Sequence, residues 1–337
     1  MQFLGSRTSA RRLLFCTLVV LSLAGGCSSP SSPTPPPPPP PPPEAPSLTC
    51  SEDIARGTVN PGGLEISYEA PEVKGGQSPV NVTCSPESGT TFPIGETTVS
   101  CKGTDGLQRE ASCTFGVTIS KLAQISKVKF MAFGDSITAG EITFPGSTAS
   151  VPVSGKQVIV PSASYPTVLQ RLLRTRYQFQ GDQITVSNQG LGGEKAIVAR
   201  ARFISAIATI QPEVVLILIG HNDIPSGEDG AASSAAREVR IMAAEAKGRG
   251  ARVFIATPVP GRPNGNRTIS PFLLEDYANR MRDVAHTEGA VLVDLYEGMR
   301  SDVFRYIGVD GLHPNEAGYT RIAELFFEAI QRELEVR

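Results

Sequence analysis

The 337-residue chain lacks several features on which whole classes of function depend. Its 31 lysines and arginines are balanced by 33 aspartates and glutamates, so a nucleic-acid-binding surface is not expected. Only three histidines occur, and no His-Glu-x-x-His or comparable cluster is present, so neither a metal nor another cofactor is expected. No G-x-x-x-x-G-K-[ST] pattern occurs, which disfavours a phosphate-binding loop.

The N-terminal segment predicts export and a membrane tether. Three arginines precede an apolar run at residues 13–24, which is too short to span a bilayer but typical of a signal peptide formed by residues 1–26. The run ends in Leu-Ala-Gly-Gly-Cys27, which resembles a bacterial lipobox; ordinary cleavage that leaves Cys27 free is the alternative. Residues 27–47 contain nine consecutive prolines, which favour a stiff polyproline II spacer. We therefore expect a protein anchored by lipid to the bacterial cell envelope, at the outer membrane or cell surface.

Residues 48–120 alternate apolar and polar side chains with a period of two, which predicts the short strands of a β-sandwich. A domain of this size has a thin core, and in an exported chain disulfides would stabilise it. Their three connectivities stay open at this stage, and a Cys₄ zinc site is disfavoured because no C-x₂₋₄-C pair occurs. The predicted disulfide cysteines are Cys50, Cys84, Cys101 and Cys113.

The same segment carries short motifs that resemble a known extracellular module. Val-Thr-Cys-Ser-Pro, Ser-Gly, Phe-Pro-Ile-Gly and Thr-Val-Ser-Cys follow one another between residues 82 and 101, and Asp105 comes shortly after. This series resembles the HYR (hyalin repeat) module, an immunoglobulin-like domain. The resemblance implies a binding or spacing role, with a cell-surface or glycan ligand, rather than chemistry.

Residues 125–337 alternate strand and helix patterns, which indicates βαβ units and a parallel sheet covered on both faces. Ligands on such sheets bind beyond the carboxyl ends of the strands, so the loops that follow the strands are where chemistry is expected. The strands are predicted at 128–133, 184–187, 214–219, 253–256 and 291–293. The helices are predicted at 166–174, 196–210, 231–247, 271–288 and 316–335.

The loops after the first three strands carry groups suited to acyl transfer. A Gly-Asp-Ser136 motif places a serine where a helix should begin, so its own N–H is free to bind an oxyanion. The second loop, at 188–193, contains three glycines, which can simply make a tight turn or let the backbone approach a ligand closely, and Gly193 can offer an N–H. The third is Gly-His-Asn222-Asp, in which the Asn222 amide is a neutral donor unless it caps the next turn.

A serine nucleophile needs a base, and the three histidines allow elimination. His286 lies near the end of a predicted helix, where a surface position is expected. His221 is adjacent to Asn222, and on near-extended backbone their two side chains point in opposite directions, so at most one of these neighbours faces the site. His313 remains, in the loop before the last helix, with Asp310 three residues earlier and able to hold one ring nitrogen. We therefore predict that His313 is the base and Asp310 its orienting group.

Four motif blocks of the SGNH/GDSL hydrolase family are matched in order by Gly134-Asp135-Ser136, Gly193, Gly220-x-Asn222-Asp223 and Asp310-x-x-His313. The resemblance implies a flavodoxin-like three-layer α/β/α fold and ester hydrolysis through an acyl-enzyme. It implies that Ser136 is the nucleophile, and that its N–H, the Gly193 N–H and the Asn222 side chain form the oxyanion hole.

The sequence departs from the family pattern between the nucleophile and the first helix. Residues 141–162 are rich in Val, Ser, Gly and Pro, and we expect a hairpin or lid that shapes the acyl pocket. Within the second block, Gly190 and Gly192 are the alternatives to Gly193.

The function predicted from the sequence is that of an exported serine esterase acting on short acyl esters or acetylated carbohydrates. Three alternatives stay open: a lysophospholipase or thioesterase, a sugar O-acyltransferase, and an adhesive lipoprotein whose hydrolase fold is catalytically silent.

Overall fold

The computed structural model of the protein describes residues 37–144, 156–226 and 230–336. The predicted signal peptide and Cys27 lie outside these residues. Residues 37–43, the later part of the proline run, are exposed and belong to no helix or strand. None of the helices in the described part of the chain has both the length and the apolar character needed to cross a bilayer.

The N-terminal module, residues 45–121, is made of β-strands. Their bounds are β1 Ser47–Thr49, β2 Ile54–Thr58, β3 Leu64–Ile66, β4 Glu72–Lys74, β5 Asn81–Ser85, β6 Thr90–Phe92, β7 Gly95–Thr104 and β8 Glu110–Lys121. Four strands form one sheet in the order β2-β8-β7-β5, while β3 pairs with β6 and β1 with β4. Phe92 of β6 shares one buried cluster with Val99 of β7 and Val117 of β8. The four-stranded sheet and the β3-β6 pair therefore enclose a single core, as predicted for a β-sandwich.

Two disulfides join the strands of this module. Cys50 is bonded to Cys113 and Cys84 to Cys101, which selects one of the three connectivities that the sequence allowed. The second bond links strands that are paired in register, because Cys84 of β5 lies opposite Cys101 of β7. The bonds join residues separated by 63 and 17 positions, and closing such loops in the unfolded chain stabilises the fold by about 4 and about 3 kcal/mol in the chain-entropy account.

Asp105 organises the turn between β7 and β8. Its carboxylate accepts hydrogen bonds from the backbone N–H groups of Gln77, Leu107 and Arg109 at 3.0, 2.9 and 2.9 Å, and from the Arg109 guanidinium. Burial alone would raise the Asp105 pKa, but these donors outweigh it and hold the pKa far below its usual range. The carboxylate thus accepts backbone N–H groups that have no strand partner between the end of β7 and the start of β8.

The C-terminal α/β region begins near residue 124. Its strands are β9 Gln124–Ile125, β10 Lys129–Gly134, β11 Glu141–Phe144, β12 Lys156–Ile159, β13 Thr185–Gly190, β14 Val214–Leu218, β15 Arg252–Ala256, β16 Val291–Val293 and β17 Glu335–Val336. Its helices are α1 Ser136–Ala139, α2 Tyr165–Arg176, α3 Ala196–Ile210, α4 Ala231–Gly248, α5 Pro271–Glu288, α6 Leu295–Met299, α7 Val303–Tyr306 and α8 Glu316–Leu334.

Five parallel strands form the central sheet in the order β13-β10-β14-β15-β16. Side chains alternate between its two faces. Phe130 of β10 packs with α2 and α8 in one buried cluster, and Met131 packs with α3, α4 and α5 in another. The region is therefore the three-layer α/β/α sheet of flavodoxin-like order that the sequence predicted.

One predicted strand is longer than its apolar pattern indicated. β13 continues beyond residue 187 through Asn188 and Gln189 to Gly190, because these residues pair in register with the last three residues of β10. Asn, Gln and Gly have low strand propensity, so the pattern placed them in the following loop. The second loop is correspondingly shorter and begins at Leu191; we term its residues 191–195 the oxyanion loop.

The two ends of the segment between the nucleophile and α2 pair with each other as the strands of a hairpin. Glu141 to Phe144 of β11 pair antiparallel with Ile159 to Lys156 of β12. This agrees with the expectation of a hairpin for residues 141–162, although residues 145–155 lie outside the described part of the chain.

The disulfide connectivity predicts two crosslinked peptide pairs. Digestion of the unreduced protein between its cysteines should release one pair joined through Cys50 and Cys113 and another through Cys84 and Cys101, as read by mass spectrometry. Alkylation before reduction should modify none of the four. A peptide that joins Cys50 to Cys84 or to Cys101 would contradict the structure.

Candidate active site

The nucleophile turn lies where the sheet order reverses, between β13 and β14 at the carboxyl end of β10. The Asp135 side chain caps α1 by accepting the Ile137 N–H at 3.0 Å, and Gly140 ends the helix after one turn in the left-handed conformation. Gly134 admits no side chain, since a Cβ there would lie 2.1 Å from the Leu218 carbonyl oxygen. The turn therefore holds Ser136 at a helix start, as predicted.

Ser136, His313 and Asp310 form one chain of hydrogen bonds. Ser136 Oγ lies 2.9 Å from His313 Nε2, and His313 Nδ1 lies 2.6 Å from Asp310 Oδ2. Their exposed fractions are 3%, 0% and 2%, so the three groups are shielded from bulk water. The serine and histidine are 177 residues apart in sequence, and the fold brings them together as the sequence predicted.

Asp310 is held as a carboxylate by four donors. Oδ1 accepts the N–H groups of Leu312 and His313 at 3.1 and 3.0 Å, while Oδ2 accepts the His313 ring and Thr143 Oγ1, the latter at 2.8 Å. Burial would raise the Asp310 pKa, but these bonds outweigh it and lower the pKa to about 2. Because this pKa is lowered, the ionised group stabilises the fold above its ordinary pKa, and the contribution is lost as pH falls toward 2.

Thr143 belongs to the site although no sequence motif indicated it. It lies on β11, is buried, and donates its hydroxyl hydrogen to the same Asp310 oxygen that faces His313. The hairpin expected to shape the acyl pocket therefore also orients the carboxylate. A single threonine in a β-rich stretch carries no signal from which this role could have been read.

The nucleophile turn and the oxyanion loop both leave backbone donors free. Among the described residues, no acceptor pairs with the N–H of Ser136, Gly192 or Gly193, whereas the Gly190 N–H donates to its neighbour Asn188 at 2.9 Å. Gly193 has a φ of +75° and open space where a Cβ would be. Gly190 is thus unsuited to an oxyanion, and the assignment of Gly193 rather than Gly192 stays a prediction.

Asn222 faces the same loop. Its Nδ2 donates one hydrogen to the Glu194 carbonyl oxygen at 3.1 Å, so that the amide is fixed while its second hydrogen stays available. The next residue, Asp223, accepts the Ala196 N–H at 2.9 Å, which binds the start of α3 to the third loop. Burial raises the pKa of Asp223. The Gly-x-Asn-Asp motif therefore supplies one donor and one structural acceptor.

The other two histidines are placed away from the reacting atoms. His221 is buried, and its Nε2 accepts the Val259 N–H at 3.1 Å, which occupies the lone pair that a base would need. Its Nδ1 lies 3.4 Å from Asp135 Oδ2, beneath the nucleophile turn. His286 is exposed in the last turn of α5. Both placements agree with the elimination that left His313 as the base.

The arrangement has the chemistry of a serine hydrolase. A neutral His313 can take the Ser136 proton on Nε2 while Asp310 holds Nδ1–H, which fixes the tautomer and stabilises the imidazolium. Within the described ranges, no three His, Cys, Asp or Glu side chains are grouped so that they could hold a metal ion.

Comparison with known families identifies both parts of the chain. Residues 132–321 match the GDSL-like lipase/acylhydrolase family, and residues 43–119 match the HYR domain. An acetylxylan esterase of Xylanibacter ruminicola is 24% identical over 187 residues. That match covers 50% of this chain and 38% of the relative, so the chain corresponds to well under half of that protein's length.

Two of the similar solved structures each match about three fifths of the chain. A lipase/acylhydrolase from Enterococcus faecalis is 21% identical, with a TM-score of 0.49, and the match covers 61% of this chain and 97% of that one. The acetylxylan esterase Axe2 from Geobacillus stearothermophilus is 22% identical, with a TM-score of 0.46, over 61% of this chain and 95% of that one. At such identities the similarity concerns the fold.

Removal of either proton-transfer partner should abolish turnover. Ser136→Ala and His313→Ala are each expected to lower kcat on an acetate ester by several orders of magnitude, and the double variant should be little worse, because the groups act as a unit. Asn222→Ala should cost less, about 10²–10³-fold, since backbone donors remain. Steady-state kinetics on variants with unchanged circular dichroism measures each effect.

The pH profile supplies a second readout of the same prediction. Activity should fall as the pH is lowered, because a protonated imidazole cannot accept the Ser136 proton. Asp310, whose pKa is lowered to about 2, stays ionised at pH values well above 2 and does not cause this loss. His286→Ala is the matched control and should keep the wild-type rate. The base would be misassigned if a folded His221→Ala variant lost turnover while His313→Ala retained it.

Proposed function

The chain belongs to the GDSL-like lipase/acylhydrolase family, with a HYR domain before the hydrolase, and on that premise we propose that it is an esterase that removes short acyl groups from carbohydrates. The observation that carries the proposal is the hydrogen bond from Ser136 to His313 in a site where the serine is almost wholly buried. Ester hydrolysis follows from the family and this geometry, whereas the acyl length and the alcohol are the proposal.

In the proposed reaction, Ser136 Oγ attacks the ester carbonyl carbon as His313 Nε2 takes the hydroxyl proton. The tetrahedral oxyanion is held by the N–H groups of Ser136 and Gly193 and by the Asn222 amide. His313 then gives its proton to the leaving alcohol oxygen, so that the C–O bond breaks and an acyl-serine remains. Water then attacks the acyl carbon while His313 takes its proton. His313 returns the proton to Ser136 Oγ as the bond between the acyl carbon and Oγ breaks, and the carboxylic acid leaves.

The burial of the nucleophile favours a small acyl group. Only 3% of Ser136 is exposed, which leaves little room beside the hydroxyl for a long chain. The relative from Xylanibacter ruminicola is named an acetylxylan esterase, which supports an acetyl group on a carbohydrate as the substrate of this chain.

A lysophospholipase or thioesterase would need an apolar groove that begins at the nucleophile. A cavity of about 490 Å³ is lined by Ile142, Phe144 and Val309, but neither Ser136 nor His313 borders it. Thr143 also lines this cavity, and its hydroxyl binds Asp310 rather than the nucleophile, so the cavity adjoins the orienting carboxylate and not the reacting atoms. This alternative is accordingly less well supported than short acyl groups.

Two further alternatives are separated by simple assays. A sugar O-acyltransferase would pass the acyl group to a hydroxyl, so products must be analysed as well as substrate loss. A silent adhesive lipoprotein would release no acid from any ester, but a complete hydrogen-bond chain from Ser136 to Asp310 argues against it.

We further propose that the protein is exported and anchored by lipid at Cys27 to the cell envelope, with residues 1–26 as signal peptide and residues 27–47 as spacer. The arginines, apolar run and lipobox-like end of the N-terminus support this. In this organisation residues 48–120 form the HYR-like domain and residues 125–337 the hydrolase. A cell-surface or glycan ligand of the HYR domain would hold the enzyme near acetylated carbohydrate.

An ester series should separate short-acyl from long-acyl specificity. With p-nitrophenyl esters of two to eight carbons, kcat/KM is expected to be highest for acetate and to fall at least about tenfold by octanoate, since each added methylene must enter a closed site. Acetylated xylo-oligosaccharides should release acetate, as measured by chromatography. An optimum at octanoate would favour the lipase alternative instead.

Anchoring is tested by one substitution. In a bacterium that lipidates exported proteins, the full chain should sediment with membranes, whereas Cys27→Ala should appear in the soluble fraction because it lacks the acyl chains. Its specific activity on p-nitrophenyl acetate should equal that of the anchored form. A wild-type protein that is already soluble would refute the anchor and leave the esterase proposal untouched.

A further inference from the structure

Glu141 places a second carboxylate beside the catalytic base. Its Oε1 lies 3.8 Å from His313 Nε2, the same nitrogen that faces Ser136 Oγ. Its Oε2 lies on the other side against the oxyanion loop, 3.5 Å from where a Cβ of Gly192 would be. The carboxylate thus borders the space between the nucleophile, the base and the oxyanion donors.

The backbone around Glu141 is fixed from two directions. Its carbonyl oxygen accepts the hydroxyl hydrogen of Tyr319, on α8, at 2.6 Å, and the residue pairs with Ile159 across the hairpin. The side chain is 15% exposed, so it is neither free in solvent nor packed into the core. The backbone that carries the carboxylate is therefore fixed before substrate arrives.

The oxygens of this carboxylate retain unused acceptor capacity. In the described part of the chain, no donor lies within hydrogen-bond distance of them; the nearest cation is Arg267, whose guanidinium is 3.8 Å from Oε1. An ionised carboxylate offers about four acceptor positions, and a partly buried one is costly unless donors fill them. Donors supplied by the substrate would satisfy this requirement.

The reaction determines which part of the substrate comes closest to Glu141. His313 Nε2 must protonate the leaving alcohol oxygen, so that oxygen lies within hydrogen-bond distance of Nε2. Because Glu141 Oε1 is 3.8 Å from the same nitrogen, a hydroxyl on the adjacent carbon of the alcohol is within reach of the carboxylate. In a partly acetylated sugar, that position is the neighbouring free hydroxyl.

We propose that Glu141 determines alcohol specificity by accepting a hydrogen bond from a hydroxyl adjacent to the ester-bearing carbon. It selects esters of vicinal diols, including partly acetylated sugars, and disfavours alcohols that carry a negative charge at that position. This inference rests on the proposed esterase function and deepens it, because it names the recognised feature of the alcohol.

The test uses two acetate esters of equal size that differ only in this hydroxyl. 2-Hydroxyethyl acetate carries a hydroxyl where propyl acetate carries a methyl group, and the ratio of their kcat/KM values reports the preference. Wild type should favour the hydroxylated ester about tenfold or more, since a hydrogen bond to a charged acceptor is involved. Glu141→Met, of similar length without an acceptor, should abolish this ratio, and Glu141→Gln should reduce it.

A third ester, which carries a negative charge on the alcohol, tests whether removing the Glu141 charge increases activity. The anionic ester 3-acetoxypropanoate should be a poor substrate of wild type, and its kcat/KM relative to propyl acetate should rise at least severalfold in Glu141→Gln. A poorly folded variant cannot produce such a gain. Glu328→Gln, on the exposed face of α8, is the matched control and should leave all three rates at their wild-type values.

The outcomes separate the inference from the function on which it rests. If wild type hydrolyses none of the esters, the proposed function is wrong and the inference falls with it. If the esters are hydrolysed but the Glu141 variants lose equal activity on the hydroxylated and methyl esters, the carboxylate stabilises the His313 imidazolium and does not recognise the alcohol. In that case only the inference is wrong, and the esterase function stands. An unchanged ratio in Glu141→Met also overturns it.

Discussion

The site depends on the pairing of β10 with a parallel neighbour on each side. Gly134, the last residue of β10, is in register with Gly190 of β13 and Leu218 of β14, so three strands end at one level and their loops meet. Arg202 of α3 reinforces this edge by donating to the carbonyl oxygens of Gln189 and Gly134 at 2.9 and 3.1 Å. A shift of one residue in either pairing would move the oxyanion donors away from Ser136 and turn side chains to the opposite face.

The hairpin between the nucleophile and α2 contributes more to the chemistry than its composition indicated. Thr143 binds the carboxylate of Asp310, and Glu141 lies two residues earlier on the same strand, beside the other nitrogen of His313. Since alternate residues of a strand point to the same face, one short strand supplies both contacts. The hairpin thus connects triad orientation with recognition of the alcohol, which makes it the part of the fold where specificity is expected to vary.

The two folded parts of the chain are stabilised by different means. The α/β region has a buried cluster on each face of its sheet and contains no cysteine, so no disulfide crosslinks it. The N-terminal module has one small cluster, which includes Cys101, and it is crosslinked by two disulfides. This difference follows from size, because a small domain buries too little apolar surface to offset its conformational entropy.

The sequence by itself determined the α/β class and most element positions, because long apolar runs and helical periods are local. It also predicted the reacting groups, because only three histidines were available. It did not determine the disulfide pairing or the length of β13, since both depend on the register of strands distant in sequence. Thr143, Glu141 and Arg202 carry no motif. Only the tertiary structure decided that the first two lie beside the triad and that Arg202 binds the carboxyl end of β10. Their roles arise from which side chains the hairpin and α3 bring to the end of β10, a matter of packing between elements rather than of local sequence.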